Sequence, residues 1–273
     1  MNSEQMTLWN GRAGRAWVDE QEVLDRAFQP FEDLLVEAVS SARANRVLDV
    51  GCGTGSTTLA IARRLGAAGS CVGIDISDPM LTLARARAER ENSRATFIRA
   101  NAQDHAFESA TFDMIVSRFG VMFFDNPIQA FTNLRRAATD DATLRLIVFR
   151  GIEENPFMTA AERAASPFLP TLPARRPDGP GQFAFADPLK VQSIFDASGW
   201  PSIHLEPIDV ICTFPASELT GYFTRLGPLG AALQDADEQT RARIIDAGLE
   251  AFNPYVHGTE VRFIAACWMV RSR

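Results

Sequence analysis

No stretch of this sequence approaches the roughly 18 consecutive apolar residues that a membrane helix needs. Its first residues, MNSEQMTLWNGRAGRAW, also lack the apolar segment of a signal peptide. Neither a membrane partner nor export is expected, and a cytoplasmic location follows. Basic residues are scarce and scattered: 27 Lys and Arg against 34 Asp and Glu give a net charge of −7, with no cluster that could track a phosphate backbone. That balance argues against nucleic acid. The four cysteines, Cys52, Cys71, Cys212 and Cys267, stand far apart, without zinc-site spacing or the density of a disulfide scaffold. They read as reduced thiols. The three histidines, His105, His204 and His257, form no ligand pair, so no metal is expected. Internal repeats and low-complexity tracts are also absent.

What is present is enough apolar residue, 46% of 273, to bury a substantial core. α/β folds often carry this length as one unit, and a single domain with insertions is expected. Short β-rich runs, RVLDV at 46–50, CVGID at 71–75, ATFIR at 95–99, DMIVS at 113–117 and TLRLIVF at 143–149, alternate with helical patterns. Such alternation means parallel strands with helical crossovers. Phe31, Leu34, Leu35, Ala38 and Val39 make the apolar stripe of a helix whose first turn Pro30 suits. Asp78 before Pro79, and Asn126 before Pro127, read as N-caps followed by proline, and Gly66 as the end of the helix begun near Ser56. Residues 156–188 hold seven of the fifteen prolines with four phenylalanines, which suggests an inserted cap. A helix near 189–198, a strand near 202–214, two helical patterns at 216–229 and 236–251, and a final strand at 261–270 complete the chain.

Residues 47–55, VLDVGCGTG, are a buried strand running into a glycine turn that opens directly into a helix. Glycines there can take positive φ and let a ligand lie against the backbone, while the helix N-terminus offers free amides and partial positive charge. A dinucleotide fingerprint needs a third glycine or alanine, yet counting from Gly51 lands on Ser56 and from Gly53 on Thr58. Asp49, two residues ahead of the first glycine, would repel a pyrophosphate but could face an ammonium group. Asp75 ends the second strand 24 residues after Gly51, placed to accept the hydroxyls of a ribose. Asn101, Ala102 and Gln103 follow the third strand at the same carboxyl edge, where an adenine could be read. A ligand with an amino-acid end, a ribose and an adenine satisfies all three segments.

These motifs resemble the class I S-adenosylmethionine-dependent methyltransferases, and within them the bacterial small-molecule group related to the quinone-biosynthesis C-methyltransferases. WNGRAGRAW at 9–17, VGIDISDPM at 72–80, NAQDHAF at 101–107, FDMIVSRFGVMFF at 112–124, ENPF at 154–157 and FAFADP at 183–188 extend the likeness along nearly the whole chain. The resemblance implies a Rossmann-like seven-stranded, mostly parallel α/β sheet in the order 3-2-1-4-5-7-6, its last strand antiparallel, with helical caps. It implies that Gly51 and Gly53, with Asp49 and Cys52 beside them, hold the methionine part of S-adenosyl-L-methionine. Asp75 with its neighbour Ile76 would hold the ribose, Asn101, Ala102 and Gln103 the adenine, and Ser117 and Arg118 would border the methyl group. Trp9 and Trp17 would fold over the cofactor. Two departures stand out: Asn101 replaces the family's usual acid, its amide oxygen still able to accept, and Thr139-Asp140-Asp141 replaces a proline-glycine turn as a loop difference.

The expected organisation is one domain over 1–273, with lid helices at 1–45, a cofactor-binding core at 46–150 and cap insertions at 151–186 and 215–258. The expected activity is methyl transfer to a small, apolar or aromatic acceptor, with S-adenosyl-L-homocysteine as the product. Two alternatives remain: a same-fold protein that binds the cofactor without methyl transfer, and an NAD-dependent oxidoreductase, which the failed glycine spacing disfavours. No motif names a catalytic base, the acceptor atom or the oligomeric state.

Overall fold

The computed structural model describes residues 3–169, 179–201 and 203–272. Ser202 and residues 170–178 of the expected cap lie outside them. Eight strands, β1 (Arg46–Val50), β2 (Ser70–Asp75), β3 (Thr96–Arg99), β4 (Phe112–Arg118), β5 (Ala138–Phe149), β6 (Ile203–Pro215), β7 (Val256–His257) and β8 (Glu260–Ser272), form one sheet. The order is β3-β2-β1-β4-β5-β8-β6, with the two-residue β7 paired to β8 alone. β1 to β5 run parallel, and β8 is antiparallel to both its neighbours. This is the Rossmann-like order expected from the sequence; only the added β7 makes the long antiparallel strand the eighth. Val47, Leu48 and Val50 of β1 and Met114, Ile115 and Val116 of β4 are buried. Their near-continuous apolar character is that of central parallel strands covered on both faces.

Helices α1 (Ser3–Asn10), α2 (Arg12–Asp19) and α3 (Gln21–Ala42) precede the sheet. Pro30 is therefore not at the first turn of its helix but in the interior of α3. The lost backbone bond is tolerated because Val23, Leu24, Ala27 and Phe28 upstream continue the same buried face as Phe31, Leu35 and Val39. Packing on both sides of the proline offsets a cost of about 3 kcal/mol. Leu34, counted in the apolar stripe, is 40% exposed, so the buried face is narrower than the sequence suggested. α3 lies against α4 (Ser56–Leu65), β4, β5 and β6; its Phe28 carbonyl meets Arg118 at the carboxyl end of β4, and its last turn leads into the start of β1 at the opposite edge.

Three more expectations are corrected. Thr139-Asp140-Asp141 is not a separate loop but the bulged start of β5, where pairing jumps from Phe112↔Ala138 to Met114↔Thr143. Arg135 donates to the carbonyls of Ala138 (3.5 Å) and Thr139 (3.0 Å), holding that bulge. Helix α5 (Asp78–Arg90) is preceded by Ser77, so Asp78 is its first residue and not its N-cap. The pattern at 216–229 splits into α9 (Leu219–Arg225) and α10 (Gly227–Leu233), broken where Gly227 takes φ +68° ahead of Pro228. Asn126 does cap α6 (Pro127–Ala137), its side chain accepting from the Gln129 N–H at 3.0 Å. The rest of the cap comprises α7 (Ala160–Ala165) and α11 (Glu238–Phe252), which pack on one another, while α8 (Pro188–Ala197) lies on α6.

Candidate functional site

The glycine turn after β1 is folded back on β2, with the N–H groups of Gly51 (2.8 Å) and Cys52 (3.2 Å) donating to the Ile74 carbonyl. Gly51, Gly53 and Gly55 take φ of +70°, +55° and +86°. At Gly51 the need is double, because an added Cβ would sit 2.5 Å from Cα of Gly120 in the loop after β4. Ser117 clamps the same junction, its buried hydroxyl donating to the Val50 carbonyl (2.7 Å) and accepting from the Gly120 N–H (3.2 Å).

Asp75, 9% exposed, accepts the Gly53 N–H (2.9 Å) on one carboxylate oxygen and the Ser77 N–H (2.8 Å) on the other. A carboxylate has about four acceptor sites, so the two amides fix its orientation and leave sites for a ligand diol. Burial pushes its carboxyl above the ordinary carboxylate range, opposed by the backbone N–H groups. Asp49 is deeper still, accepting from Thr58 Oγ1 at 2.6 Å. Burial pushes its carboxyl up to about 6, against the Thr58 hydrogen bond and the nearby Arg118 cation.

Arg118, ending β4, donates to Ser56 Oγ (2.9 Å) and to the Phe28 carbonyl (3.4 Å), its guanidinium 5.9 Å from the Phe28 ring centroid. Next to it Phe119 holds φ +66°, a conformation that costs a bulky side chain about 1–2 kcal/mol. Stacking on Phe149 at 4.2 Å and edge contacts with Phe28 (5.3 Å) and Phe31 (5.1 Å) hold it there.

Between these parts lies a cavity of about 30 Å³ lined by Trp17, Asp49, Gly51, Cys52, Gly53 and Arg118 from the sequence-derived set. Leu24, Asp25, Phe28, Thr54, Thr57 and Phe119 complete its wall. Thr54 and Phe119 fall inside VLDVGCGTG and FDMIVSRFGVMFF but no spacing singles them out there, while Leu24, Asp25, Phe28 and Thr57 lie in no motif, and only the fold places them on the wall. The remaining expected residues lie outside this wall. Asn101 Oδ1 accepts from the Gln103 N–H (3.0 Å), the Ala102 carbonyl from Asn133 (2.9 Å), and Gln103 Oε1 from the Asn126 N–H (2.8 Å). Trp9 packs on Trp17 and Phe123, with ring centroids 6.2 and 5.0 Å away.

That volume holds about two waters, where a drug-sized ligand needs several hundred Å³. The crevice is closed, and α1 to α3 are the cover. Asn10 ties the cover down: its Nδ2 donates to the Ile76 carbonyl (3.0 Å), its Oδ1 accepts the Asp78 N–H (2.9 Å), and Ser77 Oγ donates to the Trp9 carbonyl (2.6 Å). Asn10 thus caps α5 from outside it. Replacing Asn10→Ala removes two of these bonds, about 1–3 kcal/mol of docking. Hydrogen exchange of residues 3–19 should accelerate about tenfold or more, with the β1 and β4 amides unchanged.

Asp49 gives a pH prediction. The unfolded carboxyl titrates near 3.8 and the folded one near 6, so the folded state holds its proton longer. Stability is therefore lost as pH rises between those values and stays lower above them. Asp49→Asn should raise stability at pH 7.5 by about 1–3 kcal/mol and leave it unchanged near pH 3.5, read by urea denaturation. Weaker stability of the variant at pH 7.5 would refute the burial penalty.

A cofactor with an amino-acid end fits these residues: Gly53 has only Met80 Sδ, at 3.7 Å, near its Cβ direction, and acidic and basic side chains share one cavity wall. Residues 47–141 match the family profile described as a methyltransferase domain. Over 100 residues the chain is 37% identical to demethylmenaquinone methyltransferase of Lactiplantibacillus plantarum, covering 36% of this chain and 42% of that protein. Over 98 residues it is 32% identical to nocamycin O-methyltransferase of Saccharothrix syringae, covering 36% and 35%. The chain spans less than half the length of either relative. Its fold is similar to that of the YcgJ protein of Bacillus subtilis, with TM-score 0.57, 16% identity, and coverage of 88% of this chain and 96% of that one.

Proposed function

We propose, from the premise that residues 47–141 are a class I S-adenosylmethionine-dependent methyltransferase domain, that the whole chain transfers a methyl group to a small, apolar or aromatic acceptor. One observation carries this reading: the glycine turn, Asp75 and the paired acidic and basic groups of Asp49 and Arg118 converge at the carboxyl edge of the sheet. Bound S-adenosylmethionine supplies an electrophilic methyl on a sulfonium, and S-adenosylhomocysteine remains after transfer. The protein's part is positioning and exclusion of water, worth on the order of 7–11 kcal/mol for well-oriented reactants. Gly51 and Gly53 let the methionine part lie against backbone, Asp75 orients the ribose, and Asn101, Ala102 and Gln103 border the adenine. Ser117 holds the two loops in register, and the helices of residues 3–42 seal the crevice through Asn10.

The acceptor lies under the cap segments 1–45, 151–186 and 215–258 of a single domain. Phe28 and Phe119, in edge contact at 5.3 Å, are the aromatic side chains beside Arg118 in the cavity wall. An aromatic wall suits a planar apolar molecule. The two relatives named for a quinone precursor and for nocamycin support a small molecule over a macromolecule. No helix among the described residues is long and apolar enough to cross a membrane, and a cytoplasmic location belongs to the same proposal.

Calorimetric titration with S-adenosylmethionine, S-adenosylhomocysteine and NAD tests the cofactor, and an acceptor screen with labelled methyl tests the reaction. Selective binding of the two adenosyl compounds and transfer to a small aromatic acceptor are expected. Binding of NAD alone, or transfer to protein or tRNA alone, would overturn the proposal.

A further inference from the structure

A groove of about 590 Å³ opens on the other side of α3 from the closed crevice. Its walls are Arg26 of α3, residues 213–217 at the end of β6, and residues 258–260 in the turn from β7 to β8. β6 runs the same way as β5, because both are antiparallel to β8, so Phe214 and Pro215 lie at the carboxyl edge that also carries the glycine turn. Leu24 and Phe28 face the small cavity, and Arg26, midway between them in sequence, falls on the opposite side of a helix with 3.6 residues per turn. α3 thus stands between the two spaces. Beneath it they approach one another along β6. Cys212 lies two residues before Phe214 on the same face of that strand, and burial pushes its thiol up to about 12 against the opposing pull of the Arg118 cation.

Arg26 is exposed, and its guanidinium has no carboxylate or hydrogen-bond partner among the described residues. The hydroxyls of Thr213, Ser217 and Thr259 are likewise without a hydrogen bond there. Glu260, the acid of the wall, is paired with Arg262 at 3.6 Å. Pro215 and Ala216 add apolar surface beside Phe214, which is buried and stacks on Tyr222 at 4.9 Å. A groove of several hundred Å³ with apolar walls and a free cation suits a flat molecule that carries an acidic group.

We propose that the methyl acceptor enters through this groove and is a small aromatic acid, its carboxylate held by Arg26 and its ring directed along β6 toward Arg118. This rests on the methyltransferase reading and adds to it the acceptor's charge and its side of approach.

Calorimetry with 1-naphthoate and 1-naphthamide, on protein saturated with S-adenosylhomocysteine, tests the groove. The native protein should bind the acid about 3- to 10-fold more tightly than the amide, a preference that shrinks in high salt. Arg26→Met should remove the preference, leave the amide within about twofold, and leave S-adenosylhomocysteine affinity unchanged, since Arg26 lies outside the cofactor cavity. Arg26→Lys should keep part of it. In the labelled-methyl screen, Arg26→Met should raise KM for acidic acceptors about 3- to 10-fold with kcat within about twofold, and spare neutral acceptors. Naphthoate that displaces S-adenosylhomocysteine, an acid bound no better than its amide, an equal effect of Arg26→Met on both, or a screen yielding only neutral acceptors would overturn the groove and leave the cofactor assignment standing. A native protein that does not bind S-adenosylhomocysteine would overturn the methyltransferase reading instead.

Discussion

Replacing Gly51→Ala should destabilise the protein by about 3–5 kcal/mol and abolish ligand binding. Two independent costs add. The φ of +70° costs an alanine about 1–2 kcal/mol. The new Cβ would also stand 2.5 Å from Cα of Gly120, a contact with backbone that no side-chain rotation relieves. Gly120 cannot retreat, because its own Cβ direction points at the Val50 carbonyl 2.5 Å away and its N–H is held by Ser117. The glycine turn and the loop after β4 must then part, and with them the cavity wall. Gly199→Ala is the control: φ is +78° but nothing lies within 4 Å of the new Cβ, so the cost should be about 1 kcal/mol. Urea denaturation of the two variants separates the conformational cost from the collision. Equal losses would show that close approach of the two loops contributes nothing.

Much of this architecture was legible because it rests on local signals. VLDVGCGTG announces a buried strand, a turn needing positive φ and a helix start within nine residues, and all three are present. Strand order followed from the resemblance and held, since right-handed crossovers leave few alternatives. What escaped the sequence is tertiary in origin. Pro30 reads as a helix start until Val23, Leu24 and Phe28 are seen packing as one face with Phe31. Asp78 reads as an N-cap until Asn10, 68 residues earlier, takes that place. The wall residues Leu24, Asp25 and Phe28 share no motif because any apolar or acidic residue on that face of α3 would read alike. Phe119 signals itself only through its positive φ, which no sequence pattern reports.

On the proposed reading that Asp75 orients a ribose, Asp75→Ala should lower the affinity for S-adenosylhomocysteine at least about 100-fold, two charge-assisted hydrogen bonds to the diol being lost together. The variant also strips partners from the Gly53 and Ser77 N–H groups, which lie 2.9 and 2.8 Å from the carboxylate oxygens. Stability should therefore fall by about 1–3 kcal/mol, and part of the lost affinity comes from a loosened glycine turn. The two causes separate in a double-mutant cycle with a ligand lacking the ribose hydroxyls. If the carboxylate holds the diol, deleting the hydroxyls weakens binding to the native protein and changes little in Asp75→Ala. If Asp75 only braces the turn, deleting the hydroxyls costs the same in both proteins. Burial raises the Asp75 carboxyl above its ordinary range, so affinity in the native protein should fall as pH drops and the carboxylate takes up a proton. Asp75→Asn keeps one acceptor oxygen but turns an amide donor toward a backbone N–H. It should bind as poorly as Asp75→Ala and show a flatter pH profile than the native protein, which an uncharged bracing role would not produce.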